Sequence, residues 1–193
     1  MAGGSPSKNL KGKTMHVTHN LALLAMFAAI PAIAQETKSL LKSNDLSGWK
    51  MAKGGEVLDG KADAANKRFT MKDGVLTIDP KVKGDITIQT VDEFSKDVHI
   101  KFEFKPDAKC NNDTLLRGVK FDLKKPDVKN LKVDEWNQFE IIVRGESSEY
   151  KCNGEILKTI KNKPGKTPFG IRAEFGGIEI RNLTATEKPL SNN

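Results

Sequence analysis

Period-two hydrophobicity, closely spaced turn signals and the want of a convincing helical stretch together predict an all-β fold, an antiparallel sandwich of two sheets. The densest signal runs from Trp136 to Glu187, where Phe139, Ile141 and Val143 alternate with Glu140, Ile142 and Arg144. Ile171, Ala173 and Phe175 alternate in the same way with Arg172 and Glu174, so each run should bury one face and wet the other. Asn153-Gly154 is the strongest hairpin signal, because both central residues of a type I′ turn need positive φ, and Gly176-Gly177 turns the next pair.

Taken in order, residues 1–34 read as a secretory signal, with Lys8, Lys11 and Lys13 ahead of the apolar stretch Leu21 to Ile33 and Ala32-Ile33-Ala34 as the cleavage pattern. That stretch falls short of the ~20 residues a spanning helix needs, so no stable membrane span is expected after cleavage. A complete signal begins again at Met15, which leaves the start open between Met1 and Met15. The protein is therefore expected to be secreted or periplasmic. One domain is expected over 40–187, with a disordered tail over 188–193. Its strands are expected at Val75 to Ile78, Ile86 to Thr90, Val98 to Phe104, Leu115 to Leu123, Trp136 to Arg144, Ser148 to Cys152, Glu155 to Ile160, Phe169 to Phe175 and Ile178 to Thr186. Phe102, Phe104, Phe139, Ile141, Val143, Ile171 and Ile180 are expected in the core.

Charge and composition narrow the function. The net charge of +7 loses three lysines and no carboxylate with the signal, and falls to +4. The remaining lysines are scattered among Asp and Glu, without the clustering or aromatic interleaving of a nucleic-acid surface. His99 is the one histidine beyond the signal, which leaves no His cluster for zinc and no choice of histidine for a catalytic triad. It reads best as a polar-face residue. No phosphate loop or EF-hand spacing is present, so neither a metal nor a cofactor is expected. Cys110 and Cys152, an even count in an exported chain, are expected to form a disulfide that would contribute roughly 4 kcal/mol.

Seven short pieces in order resemble the 3-keto-disaccharide hydrolase domain family: Asp45-Leu46-Ser47-Gly48-Trp49, Asp73-Gly74-Val75-Leu76-Thr77, His99 to Phe104, Asn112 to Gly118, Trp136-Asn137, Asn153-Gly154 and Ile180-Arg181-Asn182-Leu183. The resemblance covers nearly all of residues 40 to 187. It implies a concanavalin A-like, glucanase-type jelly roll that cleaves the glycosidic bond of a sugar already oxidised at carbon 3, with carbohydrate or oxidised sugar as partner. The ketone acidifies the hydrogen on carbon 2, so the site needs a base working near neutral pH and cationic donors around the developing enolate.

Residues of those types stand on the polar side of the strands. Glu103, Asp122 and Glu174 are the candidate bases, and Arg117 and Arg172 the candidate enolate stabilisers, with His99, Lys101 and Lys120 on polar faces nearby. The chain departs from the family pattern at this site: Lys120 stands where the family carries Glu, Asp122 where it carries Gln, and Arg172-Ala173-Glu174-Phe175 where it carries Leu-Gln-x-His. Two further readings stay open, a sugar-binding module without catalysis and a structural envelope module. The first needs an exposed Trp or Tyr platform, and only Trp49, Trp136 and Tyr150 are available.

Overall fold

The computed structural model describes residues 1–4, 36–95 and 97–187, and the signal and tail readings lie outside them. The chain divides into units 1–33 and 34–193, and all that follows concerns the second. Fourteen strands are described there, in two antiparallel sheets. The larger sheet runs β12 (Glu155–Lys161), β11 (Ser147–Cys152), β10 (Asn137–Arg144), β7 (Val98–Pro106), β14 (Ile178–Glu187), β5 (Val75–Ile78), β4 (Phe69–Lys72) and β3 (Asp63–Ala64), with β1 (Thr37–Ser39) paired to the far part of β14. The smaller runs β2 (Trp49–Met51), β6 (Ile86–Phe94), β13 (Thr167–Phe175), β8 (Asn111–Leu116) and β9 (Val119–Asp122). The protein is an all-β sandwich of two antiparallel sheets, as the alternation predicts, and of the jelly-roll kind that the resemblance implies. No helix among the described residues is long and apolar enough to cross a membrane.

The core lies between the sheets, and all seven residues assigned to it are buried. Aromatic rings join the layers. Phe121 of β9 stacks on Tyr150 of β11 at 4.4 Å, and Phe102 of β7 meets Phe169 of β13 at 6.5 Å. Trp49 is buried and donates its indole N–H to the Leu40 carbonyl at 2.7 Å, closing one end of the core. Asn137, also buried, accepts from the Lys132 N–H and donates to the carbonyls of Lys132 and Glu135. It thereby ties the loop before β10 to the Asn153-Gly154 hairpin, where Asn153 donates to its side chain at 3.0 Å. Both turn residues have positive φ, as a type I′ turn requires.

Three expectations are corrected. The strand expected from Leu115 to Leu123 is a hairpin, β8 and β9, folded at Arg117-Gly118, where both residues have positive φ. The Cys110–Cys152 bridge is not formed. Cys110 lies just before β8 of the smaller sheet, where its thiol faces the Leu123 carbonyl and accepts from Asn112, while Cys152 ends β11 of the larger sheet. Phe175, which the alternation puts on the buried face, is exposed: the ladder between β13 and β8 slips between Arg172 and Phe175, and the extra residue turns the ring outward.

Candidate active site

Cross-strand register builds a polar row on the outer face of the smaller sheet. Arg172 of β13 lies opposite Thr87 of β6 on one side and Asp113 of β8 on the other, and Asp113 lies opposite Asp122 of β9. Partners in an antiparallel ladder point the same way, so the four side chains share a face away from the core residues Ile171 and Phe121. Lys120 is on that face, two residues from Asp122.

Arg172 is the hub of the row. Its Nε and Nη2 donate to the two carboxylate oxygens of Asp85, each at 2.6 Å, and its Nη1 donates to Asp113 Oδ2 at 2.6 Å, with Glu174 Oε2 at 3.4 Å. These pairs, the bond to Asp85 foremost, raise the guanidinium pKa and hold Asp85 below the usual carboxylate range. Lys120 Nζ bridges the carboxylates, at 2.6 Å from Asp122 and 3.6 Å from Asp113 Oδ1, and its pKa is raised chiefly by the bond to Asp122.

The two facing carboxyls take opposite shifts. The Asp113 side chain is 0% exposed, and burial, with the hydrogen bond and charge of Asp122, pushes it up to about 7 against the pull of Lys120 and Arg172. Asp122, whose side chain is 23% exposed, is held below its ordinary value by the hydrogen bond from Asp113 and then by the bond from Lys120. Below about 7, therefore, Asp113 holds a proton while Asp122 is ionised. No donor among the described residues makes a hydrogen bond to Asp113 Oδ1, so a proton on that oxygen, directed at Asp122, completes its bonding. Two coupled carboxyls of this kind titrate as a unit.

Of the five residues proposed from the sequence, Asp122, Arg172 and Glu174 are brought together. Glu103 and Arg117 are not. Glu103 belongs to β7 of the larger sheet, where it accepts from Arg181 Nε at 2.6 Å and Asn182 Nδ2 at 3.2 Å. Arg181 in turn stacks on Trp136 at 3.9 Å. Arg117 is buried at the hairpin end of β8, about 13 Å along the strand from Asp113 at ~3.3 Å per residue. Its N–H donates to Thr167 Oγ1 at 3.0 Å, and its carbonyl accepts from the Lys163 N–H at 2.9 Å. Arg172 stands in the site but has its donors engaged by carboxylates, so the exposed cation of the face is Lys120, at 46%. His99 is bonded to Glu140 at 2.7 Å on the larger sheet, in keeping with a polar-face role.

Asp113 was missed. It stands in the stretch Asn112 to Gly118, between Asn112 and Thr114, and the signal that could have found it is its place opposite Asp122 once Arg117-Gly118 is read as a two-residue turn. The aromatic candidates do not make a Trp or Tyr platform: Trp49 and Tyr150 are buried, and Trp136 lies beneath Arg181.

The fold has relatives among solved structures. Two proposed glycosyl hydrolases from Parabacteroides distasonis ATCC 8503 superpose with TM-scores of 0.62 and 0.61 at 18% and 17% identity. Each match covers 79% of this chain, and 94% and 100% of the respective relative. A carbohydrate-binding module, CBM66 from Bacillus subtilis, superposes with a TM-score of 0.51 at 12% identity over 76% of this chain and 99% of that one. No family profile and no curated protein sequence matches the chain. At these identities the likeness is one of fold.

Proposed function

We propose that the outer face of the smaller sheet is a carbohydrate site, and that the Asp113–Asp122 pair cleaves glycosidic bonds in sugars already oxidised to the ketone at carbon 3. The observation that carries this reading is the facing of the two carboxyls across the ladder, Asp113 buried and Asp122 partly exposed, with Lys120 against both. The two carboxyls titrate as a unit, so Asp122, though held low while Asp113 keeps its proton, becomes a base suited to neutral pH once the pair loses that proton near 7. The order of the sequence motifs supplies the substrate class, and the glycosyl hydrolase relatives are consistent with it.

In this mechanism an Asp122 oxygen takes the proton from carbon 2, and the electron pair of that bond moves toward the carbon-3 oxygen to form an enolate. Lys120 stabilises the oxygen as its charge grows. Collapse of the enolate restores the ketone, forms a double bond between carbons 1 and 2, and breaks the bond to the leaving sugar, which departs with the proton that Asp122 took. Water then adds, its oxygen to carbon 1 and a proton to carbon 2, so the sum is hydrolysis. Arg172 holds Asp113 in place and Asp113 shares the proton, so both act through Asp122. The signal read over 1–34 supports a place for this activity outside the cytoplasm.

The test incubates the protein with 3-keto-disaccharides and with their unoxidised parents, following release of the leaving sugar. Release from the oxidised substrates alone is the expected result. Binding of both without release assigns the face to a sugar-binding module, and neither binding nor release leaves a structural module.

A further inference from the structure

We infer that Phe175 is the stacking platform for the second pyranose ring of a disaccharide, on the same face as the Asp113–Asp122 pair. Phe175 is paired with Asn111, and Asn111 shares a side of β8 with Asp113, so the ring emerges on the polar outer face. It is 63% exposed, and among the exposed large hydrophobics of the described residues it is the one aromatic.

The exposure is built in. The bulge that turns Phe175 outward is pinned on both sides of Glu174: its N–H donates to Asn112 Oδ1 at 3.0 Å, and its carbonyl accepts from Arg68 Nη2 at 3.2 Å. Asn112 and Arg68 are both buried, and Arg68 crosses from the loop before β4, in the other sheet, to make that bond. The next residue, Gly176, has φ +70°, and a Cβ there would lie 2.4 Å from the Lys109 carbonyl carbon.

The position suits a disaccharide. Phe175 and Asp122 are two strands and about two residues apart, which at ~4.8 Å per strand and ~3.3 Å per residue is about 12 Å between backbones. One pyranose ring cannot bridge that gap, whereas two linked rings can. A ring seated on Phe175 by its C–H face leaves the oxidised ring over Asp122 and Lys120, with hydroxyls toward the charged row. Apolar stacking beside charged hydrogen-bonding groups is the chemistry of a sugar subsite.

This inference rests on the carbohydrate reading of the face, and the experiment separates the two. Wild type, Phe175→Ala and Phe175→Tyr are compared on a 3-keto-disaccharide and on the matching 3-keto methyl glycoside, which lacks the second ring. The wild type is expected to prefer the disaccharide in kcat/KM, with Phe175→Ala cutting that preference by about tenfold and Phe175→Tyr restoring it. Turnover with the preference intact in Phe175→Ala overturns the platform and leaves the hydrolase reading standing. If the wild type turns over neither substrate, the same proteins are titrated with the disaccharide by NMR. About tenfold weaker binding in Phe175→Ala then upholds the platform without the hydrolase, and equal binding or none overturns it.

Discussion

Asp113 and Asp122 face each other across the β8–β9 ladder, the first with a buried side chain pushed up to about 7, the second partly exposed and held below its ordinary value. The pair joins a strictly structural position to an exposed one. Its consequences can be measured on folding as well as on turnover.

Stability should fall as pH rises from about 4 to about 7. In that window the folded protein keeps a proton on Asp113 that the unfolded chain, with an ordinary aspartate, has released. More protons bound in the folded state means that raising pH favours unfolding, until the pair loses its proton near 7 and the dependence flattens. Urea unfolding at pH 5 and pH 8 should show this loss in the wild type. Asp113→Asn should be nearly level over the same range, and an equal slope in both proteins would contradict the assignment.

Arg172 pulls the Asp113 pKa down while burial pushes it up. Removing the guanidinium in Arg172→Gln should therefore raise the pair's upper pKa and move the rising limb of the pH–rate profile to higher pH. Arg172→Lys should not fully restore it, since a single ammonium cannot reproduce the two bonds to Asp85 and the third to Asp113. A profile unmoved in Arg172→Gln would remove Arg172 from the site.

The stack of Phe121 on Tyr150 bridges the sheets close to the site, at 4.4 Å with the rings nearly parallel. Phe121→Ala should cost about 3–5 kcal/mol in urea unfolding, from lost burial and the cavity left between the layers. A loss under about 1 kcal/mol would mean that the stack does not bind the sheets together.

Both cysteines should label only in the unfolded protein, and without prior reduction. Burial pushes the Cys110 thiol up to about 11 and the Cys152 thiol up to about 12, which makes both inert in the folded state. Fewer than two reactive thiols in unfolded, unreduced protein would restore the bridge that the fold lacks.

Much of the sandwich was legible because its long strands alternate strictly. Strands β5, β7 and β10 to β14 fall within one or two residues of the expected spans, whereas β6 runs on to Phe94. The short strands β1 to β4, of two to four residues, are too brief for a period to show. Alternation also tells which side of a strand a residue occupies without telling which sheet the strand joins. Hence Glu103 and Asp122 look equivalent in sequence and lie on different sheets. Phe175 obeyed the period and was still misplaced, because a bulge held by the distant Arg68 adds one residue that no local pattern records. Asp113 escaped notice for a related reason: its neighbours Arg172 and Asp122 are 59 and nine residues away, and only pairing makes them a site. An even count of cysteines could likewise not say that Cys152 ends a strand of the larger sheet while Cys110 stands just before one of the smaller.

Proton abstraction from carbon 2 is the central step, and exchange in heavy water reads it without any need for bond cleavage. A 3-keto sugar lacking a leaving group at carbon 1 would be held with the protein in D2O and its carbon-2 proton followed by NMR. The wild type should replace that proton with deuterium, with a rate that climbs with pH toward a plateau above about 7, and Asp122→Asn should slow the exchange by at least about 100-fold. Exchange by the wild type no faster than in buffer, or exchange undiminished in Asp122→Asn, would contradict the role assigned to the pair.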